Sequence, residues 1–214
     1  MPKLKISYNA PVVLTFAIVA TLVHGLSHML GDWWKFWFAA WPEFHGIRSY
    51  VGLVSHILGH GNWDHLLGNF MTILLVGPIL EERHGSRELA IMIFITALIT
   101  GLINVAFFNN FLLGASGIVF MMILLASVAN VRRGEIPLSF IAVTILFCGR
   151  EVIAMFGSAD GISHSAHLIG GAAGAAFGFL TAKAHPETAG KALPAGKAVV
   201  IAGPSPAPRN RPPV

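Results

Sequence analysis

Ala166-His167-Leu168-Ile169-Gly170-Gly171-Ala172-Ala173-Gly174 is the stretch on which the fold turns. Positions 167, 170 and 174, with Gly178 beyond, advance by three, four and four, so a helix puts them on one face. Gly170, Gly174 and Gly178 make a doubled GxxxG face, a pattern that lets helices pack closely in a bilayer. The run that contains them, 162–182, is apolar and near the ~20 residues needed to cross ~30 Å of hydrocarbon. His167 therefore lies on the closely packed face of a membrane helix. Ionisable groups are rare there, and a polar group without a partner costs several kcal/mol, so a histidine in that place is more often functional than structural.

The rest of the chain has the same character. Its 214 residues are 55% hydrophobic and 11% charged, where an average soluble domain has about 25% charged residues. Mean hydropathy is +0.70. Six apolar stretches can be marked, at 11–30, 63–80, 89–108, 115–131, 136–156 and 162–182. The first follows Lys3 and Lys5 but lacks a small-x-small cleavage site and continues into an aromatic segment, so it reads as a retained span rather than a signal peptide. The single cysteine, Cys148, excludes an internal disulfide and says nothing about redox compartment.

Charge orients these spans. With six of them, both termini share a side with the loops near 81–88 and 132–135. That side holds eleven Lys and Arg residues, and the other holds only Lys35 and Arg48. The bias predicts a cytoplasmic location for both termini and an outward-facing site around Ser116. Because the positive charges lie between apolar runs and not on one face, the basic balance reads as topology, with no nucleic-acid partner.

Residues 31–52 contain four of the five tryptophans, Trp33, Trp34, Trp37 and Trp41. They predict a partly embedded first loop that serves as an aromatic belt, helps shape the bilayer around a site, or does both. Residues 186–214 hold seven of the twelve prolines and predict a disordered Pro/Ala-rich cytoplasmic tail after a membrane domain spanning 1–185.

Gly114-Ala115-Ser116-Gly117 opens the fourth apolar run, which places Ser116 at or just inside a helix N-terminus. The first amides of a helix lack intrahelical acceptors, so Ser116 would combine a nucleophilic oxygen with an amide suited to an oxyanion. Gly114 and Gly117 would allow close approach of another chain or helix. An N-capping serine in a glycine-rich helix start is the plainer reading. His65 and Asn69, four apart, share a face of the second span, with Asn62 a plausible N-cap and Asp64 in the first turn. The pair could donate to an oxyanion, or could join two helices by hydrogen bonds. His56 with His60, and His164 with His167, have spacings that could serve a metal. The chain lacks a His-Glu-x-x-His motif, however, and its histidine clusters sit at the outward end, so a metalloenzyme is the weaker reading.

Five motifs in order carry a family resemblance. Ser55-His56-Ile57-Leu58-Gly59-His60 is followed by His65-Leu66-Leu67-Gly68-Asn69 and Glu82-Arg83-His84-Gly85-Ser86. Gly114-Ala115-Ser116-Gly117 and Ala166-His167-Leu168-Ile169-Gly170-Gly171 with Gly174 complete the set. Over residues 50–182 the chain resembles the rhomboid intramembrane serine proteases. The resemblance implies an all-α integral membrane protein, a six-transmembrane-helix bundle, that cleaves transmembrane or membrane-proximal segments of membrane-protein substrates. Its implied catalytic pair is Ser116 as nucleophile and His167 as general base, with no acidic third member, no metal and no cofactor. His65, Asn69 and the Ser116 backbone amide would form the oxyanion hole, while the fifth helix and the loop near 157–166 would resemble the family's gate and cap. Gly114, Gly117, Gly170 and Gly174 would support the packing around the pair.

Two departures stand out. Phe120 occupies the position, four after the serine, where some bacterial members have a tyrosine; it can pack on the histidine but cannot hydrogen-bond. A Trp-Arg motif expected in the first loop is missing, since Arg48 follows Ile47. Arg150 and Glu151, within the fifth span, read as a structural pair facing the bundle or outer water, with substrate binding as the sharper alternative. The competing functional class is a catalytically silent relative that binds membrane clients.

Overall fold

Each apolar run becomes a helix. The computed structural model describes residues 7–44, 46–128, 136–157 and 163–184. These form α1 (Pro11–Leu30), α2 (Ile47–Ser55), α3 (Trp63–His84), α4 (Ser86–Phe107), α5 (Ser116–Ser127), α6 (Leu138–Gly157) and α7 (His164–Ala184). Single 3-10 segments lie at Asp32–Trp37 and His56–Leu58. The tail expected over 186–214 and the loop at 132–135 lie outside the described residues.

Among the described residues five helices, all but α2 and α5, are long and apolar enough to cross a membrane. Over the described residues α5 has 12 residues, about 18 Å, and it differs from the others in its surroundings as well as its length. Ile118, Met121, Met122, Leu124 and Leu125 are at most 1% exposed, so α5 is sheathed by protein and forms the centre of the core. The outer helices turn apolar side chains away from the bundle: Met71 and Leu75 on α3 and Ile153 on α6 are each more than 70% exposed. A water-soluble fold would bury such groups, whereas lipid tails solvate them.

The tightest contact in the bundle joins α5 to α7. A Cβ on Gly170 would land on the carbonyl oxygen of Gly117, and one on Gly174 would land on that of Met121. Nothing larger than hydrogen fits, so the two backbones touch directly.

Each end of the bundle is closed in its own way. At one end Glu81 of α3 is 4% exposed and accepts hydrogen bonds from the amides of Val12 and Val13 at 3.0 Å each. Ser86 Oγ donates to the same carboxylate at 2.7 Å. The helix α1 has no capping side chain and no acidic residue in its first turn, so Glu81 supplies the missing acceptor from a neighbouring helix. The opposite end gathers the first turns of α3, α5 and α7.

Between α1 and α3 the aromatic segment folds over that second end. Ala40 and Leu112 exchange backbone hydrogen bonds at 2.8 and 2.9 Å, pinning this segment to the strand of chain that leads into Ser116. Trp41 stacks between Phe36 and Phe111, with ring centroids 5.1 and 5.0 Å away, and the Arg48 guanidinium lies 5.5 Å over Phe36.

Candidate active site

Ser116 is the first residue of α5 and is half-buried. Two residues earlier Gly114 has φ +117°, a backbone conformation that side chains rarely adopt. A Cβ there would meet the His65 ring at 2.6 Å and the Asn69 amide nitrogen at 3.8 Å. The positive φ thus allows the chain to turn into α5 while touching the two polar residues of α3. The amide of Gly114 also donates to the His56 carbonyl at 2.9 Å, which anchors the turn from behind.

His167 reaches the same place from α7. A Cβ on Gly117 would lie 3.2 Å from the Ala166 carbonyl, so the residues next to Ser116 and His167 are in van der Waals contact. Phe120, one helical turn beyond the serine, stacks on the His167 ring with centroids 4.5 Å apart and an interplanar angle of 7°. Ser116, His167, His65 and Asn69 all line one cavity of about 990 Å³, together with Asp64, Arg150 and the aromatic residues Phe36, Trp41 and Phe111. The four residues singled out from three different apolar runs therefore converge on one hollow.

His65 and Asn69 are placed by their own helix. The Asn62 side chain caps α3 by accepting from the His65 amide at 2.7 Å. Asn69 Nδ2 lies 3.1 Å from His60 Nε2, and His60 Nδ1 lies 3.3 Å from the Leu58 carbonyl. A carbonyl can only accept, so His60 carries its proton on Nδ1 and presents Nε2 as the acceptor for Asn69. One Asn69 N–H is thereby occupied and the amide orientation fixed, with the second N–H left for the cavity. Burial lowers the pKa of His60 to about 4, helped by the nearby His65, so its ring is neutral at pH 7.

His56 and His60 do not face one another's ligand. Residues 56–58 form a 3-10 turn and Gly59 is extended at ψ 141°, so a spacing of four no longer means a shared face. His56 is 2% exposed, its Nδ1 sits 3.1–3.2 Å from the Leu53 and Gly52 carbonyls, and its Nε2 is 3.4 Å from Thr100 Oγ1 on α4. Its pKa too is lowered to about 4 by burial. This histidine is a brace between the loop and α4.

Sequence reasoning missed the partner of His167. Arg150 and Glu151 do not act as a pair: Arg150 is exposed on the cavity wall, whereas Glu151 is 3% exposed and turned into the bundle. Glu151 Oε2 lies 2.7 Å from Nδ1 of His167 and 2.7 Å from Nδ1 of His164. The expectation that the histidine has no acidic neighbour is corrected here, because α6 carries a carboxylate to it. A signal was present in the sequence. A buried carboxylate in a span needs donors, and His164 and His167, three apart, offer two on one helical face. The ligand atoms of Glu151, His164 and His167 lie within 4.8 Å of one another and could also hold a metal ion. Their 2.7 Å separations are hydrogen-bond distances, and the carboxylate satisfies both rings directly.

The rhomboid-domain family model matches residues 48–184, from α2 to the end of α7. The chain is 36% identical over 140 residues to Rhomboid-related protein 1 of Caenorhabditis elegans, covering 59% of this chain and 38% of that one. It is 28% identical over 183 residues to Rhomboid protease GlpG of Klebsiella pneumoniae, covering 81% of this chain and 64% of that one. The aligned part of the chain thus spans less than two thirds of the length of either relative. With its apolar helices and a match that runs through the whole site-bearing part of the bundle, the chain is a multi-pass membrane protein and belongs to the rhomboid family.

Proposed function

We propose that this protein is an intramembrane serine endopeptidase acting on transmembrane or membrane-proximal segments of other membrane proteins. The observation that carries the reading is the convergence of Ser116, His167, His65 and Asn69 on one cavity, with α5 and α7 in backbone contact beside the serine. His167 uses Nδ1 toward Glu151, which leaves Nε2 as the ring nitrogen for the serine.

In this mechanism Nε2 of His167 takes the proton as Ser116 Oγ attacks the scissile carbonyl. The Ser116 amide, His65 and the free N–H of Asn69 stabilise the resulting oxyanion, a task worth about 3–4 kcal/mol per donor in serine hydrolases. His167 then protonates the leaving amine. Water, deprotonated by the same ring, hydrolyses the acyl-enzyme and returns the serine hydroxyl. No metal or organic cofactor takes part. The charge bias of the loops supports cytoplasmic termini and a cavity on the outer side.

Purified protein in liposomes should cleave a fluorogenic transmembrane substrate, and Ser116→Ala and His167→Ala should each reduce the rate by at least about 10³-fold. Undiminished cleavage in either variant would remove the dyad. A parent that binds the substrate without cutting it would favour a client-binding role, and loss of activity with a chelator would favour a metalloenzyme.

A further inference from the structure

We propose that Glu151 is a positioning residue for the reaction, the third member of a Ser116–His167–Glu151 triad, with His164 as the second donor that holds the carboxylate in place. The proposal rests on the serine hydrolase reading above and concerns how its base is oriented.

Helix α6 supplies the first observation. Among its described side chains Glu151 is the only one buried, while Ile145, Leu146, Ile153 and Phe156 are 65–86% exposed. A membrane helix that turns nearly all its apolar groups outward and one carboxylate inward gains no core packing from that residue. Burying a carboxylate is unfavourable unless charge-assisted hydrogen bonds offset it. Its two partners are both imidazoles, and one of them is the base.

Hydrogen-bond counting limits the proton arrangement to a carboxyl group that accepts from one ring and donates to the other, or a carboxylate that accepts from both; we take the second. A protonated carboxyl group at Oε2 has one hydrogen and could serve one ring. Two Nδ1 atoms lie at 2.7 Å from that single oxygen, so at least one of them must donate. An ionised carboxylate accepting from both Nδ1–H groups satisfies every contact. In that arrangement Nε2 of neutral His167 has a lone pair, which is the form a general base requires. Phe120 fixes the plane of the ring but is blind to its tautomer, because a flat aromatic stack has no donor or acceptor. When the ring takes the Ser116 proton, Glu151 faces the imidazolium charge without itself being protonated. When the ring returns the proton to the leaving amine, the carboxylate again faces a neutral Nδ1–H.

The test uses the full-length protein in detergent and a fluorophosphonate probe. The probe forms a bond from phosphorus to Ser116 Oγ and releases fluoride, and His167 takes the serine proton. Loss of the orienting carboxylate lowers kcat by about 10⁴-fold in soluble triad enzymes. Phe120 also restrains the ring here, so Glu151→Gln should slow labelling and kcat by about 100-fold or more with KM within about twofold. Glu151→Asp should recover a part of that loss. His164→Gln should have a smaller effect, about tenfold or less, because one donor remains on the carboxylate.

A spectroscopic readout separates orientation from mere folding. The parent should show a low-field Nδ1–H proton resonance assigned to His167, and Glu151→Gln should lack it. Folded Glu151→Gln that labels within about threefold of the parent overturns the proposal, as does a parent without that resonance. If Glu151→Gln does not fold, Glu151→Asp and His164→Gln at full parental rate overturn it equally. A parent that the probe does not label removes the hydrolase reading itself, whereas a labelled parent with an equally fast Glu151→Gln removes only this assignment.

Discussion

The two buried glutamates, one at each end of the bundle, make opposite use of the same chemical group. Glu81 accepts from two backbone amides and a serine hydroxyl, none of which titrates near neutral pH. Glu151 accepts from two imidazoles, which do. Both carboxylates are at most 4% exposed and both join one helix to another. An acid buried in an apolar bundle must find donors, and the kind of donor decides whether it is architecture or chemistry. Amide donors make a fixed clamp, so Glu81 supports the start of α1. Imidazole donors make a site whose charge can change during a reaction.

The reactive end is assembled by the α5–α7 contact, so breaking that contact should give the largest effect on the reaction. A side chain at position 170 meets the Gly117 carbonyl, a backbone atom with no freedom to yield. Gly170→Val should lower stability by about 3 kcal/mol or more and abolish probe labelling of Ser116. Thermal unfolding in detergent with parallel labelling checks both. A Gly170→Val protein with parental melting temperature and labelling would show that the two helices need not touch.

Glu81→Leu addresses the other end. It leaves two amides and a hydroxyl without their acceptor, so stability should fall by about 4 kcal/mol. The labelling rate per folded molecule should stay within about twofold of the parent, because nothing at that end touches the cavity. A labelling rate that collapses while the melting temperature is unchanged would erase the distinction between the two glutamates.

How much of this was legible in the sequence depends on how far apart the interacting residues lie. Six of the seven described helices follow from apolar runs, whereas α2 lies in none of them, and the Asn62 cap follows from its place one residue before α3. The glycine face of α7 and its closeness to Ser116 rest on one short periodic pattern, Gly170-xxx-Gly174-xxx-Gly178. Glu151 reads in the sequence as the partner of its neighbour Arg150, because the residues it contacts lie 13 and 16 positions away on another helix. Which of its neighbours a buried carboxylate contacts is set by helix rotation, and α6 has almost no inward apolar stripe from which to read it. His56 and His60 misled for a different reason: the spacing of four presumes a helix, and Gly59 leaves it.

Acid should discriminate the braces around the site. His56 and His60 have pKa values of about 4 in the folded protein against 6.5 when free, so the unfolded chain binds more protons between those values. Stability from these two groups is therefore complete above about pH 6.5 and is lost as pH falls toward 4. Each contributes a loss of about 2 kcal/mol between pH 7 and pH 5. In His56→Gln the fall of stability over that interval should be shallower by about that amount, read from melting temperatures at both pH values. Identical slopes in the variant and the parent would mean that His56 accepts a proton in the folded state as easily as in water.

The smallest expected effect concerns Phe120, which acts on the same ring as Glu151 but through its face. Stacking on His167 at 4.5 Å is worth about 1 kcal/mol, so Phe120→Leu should slow labelling about fivefold. Phe120→Tyr keeps the stack and should stay within about twofold of the parent. If the phenyl ring sets the plane and the carboxylate sets the tautomer, the two restraints act on one imidazole and their removals should not add. The double variant Phe120→Leu, Glu151→Gln should then be little slower than Glu151→Gln alone, since a ring in the wrong tautomer gains nothing from a correct plane. Strictly multiplicative losses would mean that the two groups act independently, and the contrast between the two ends would reduce to Glu81 clamping a helix and Glu151 merely packing against one.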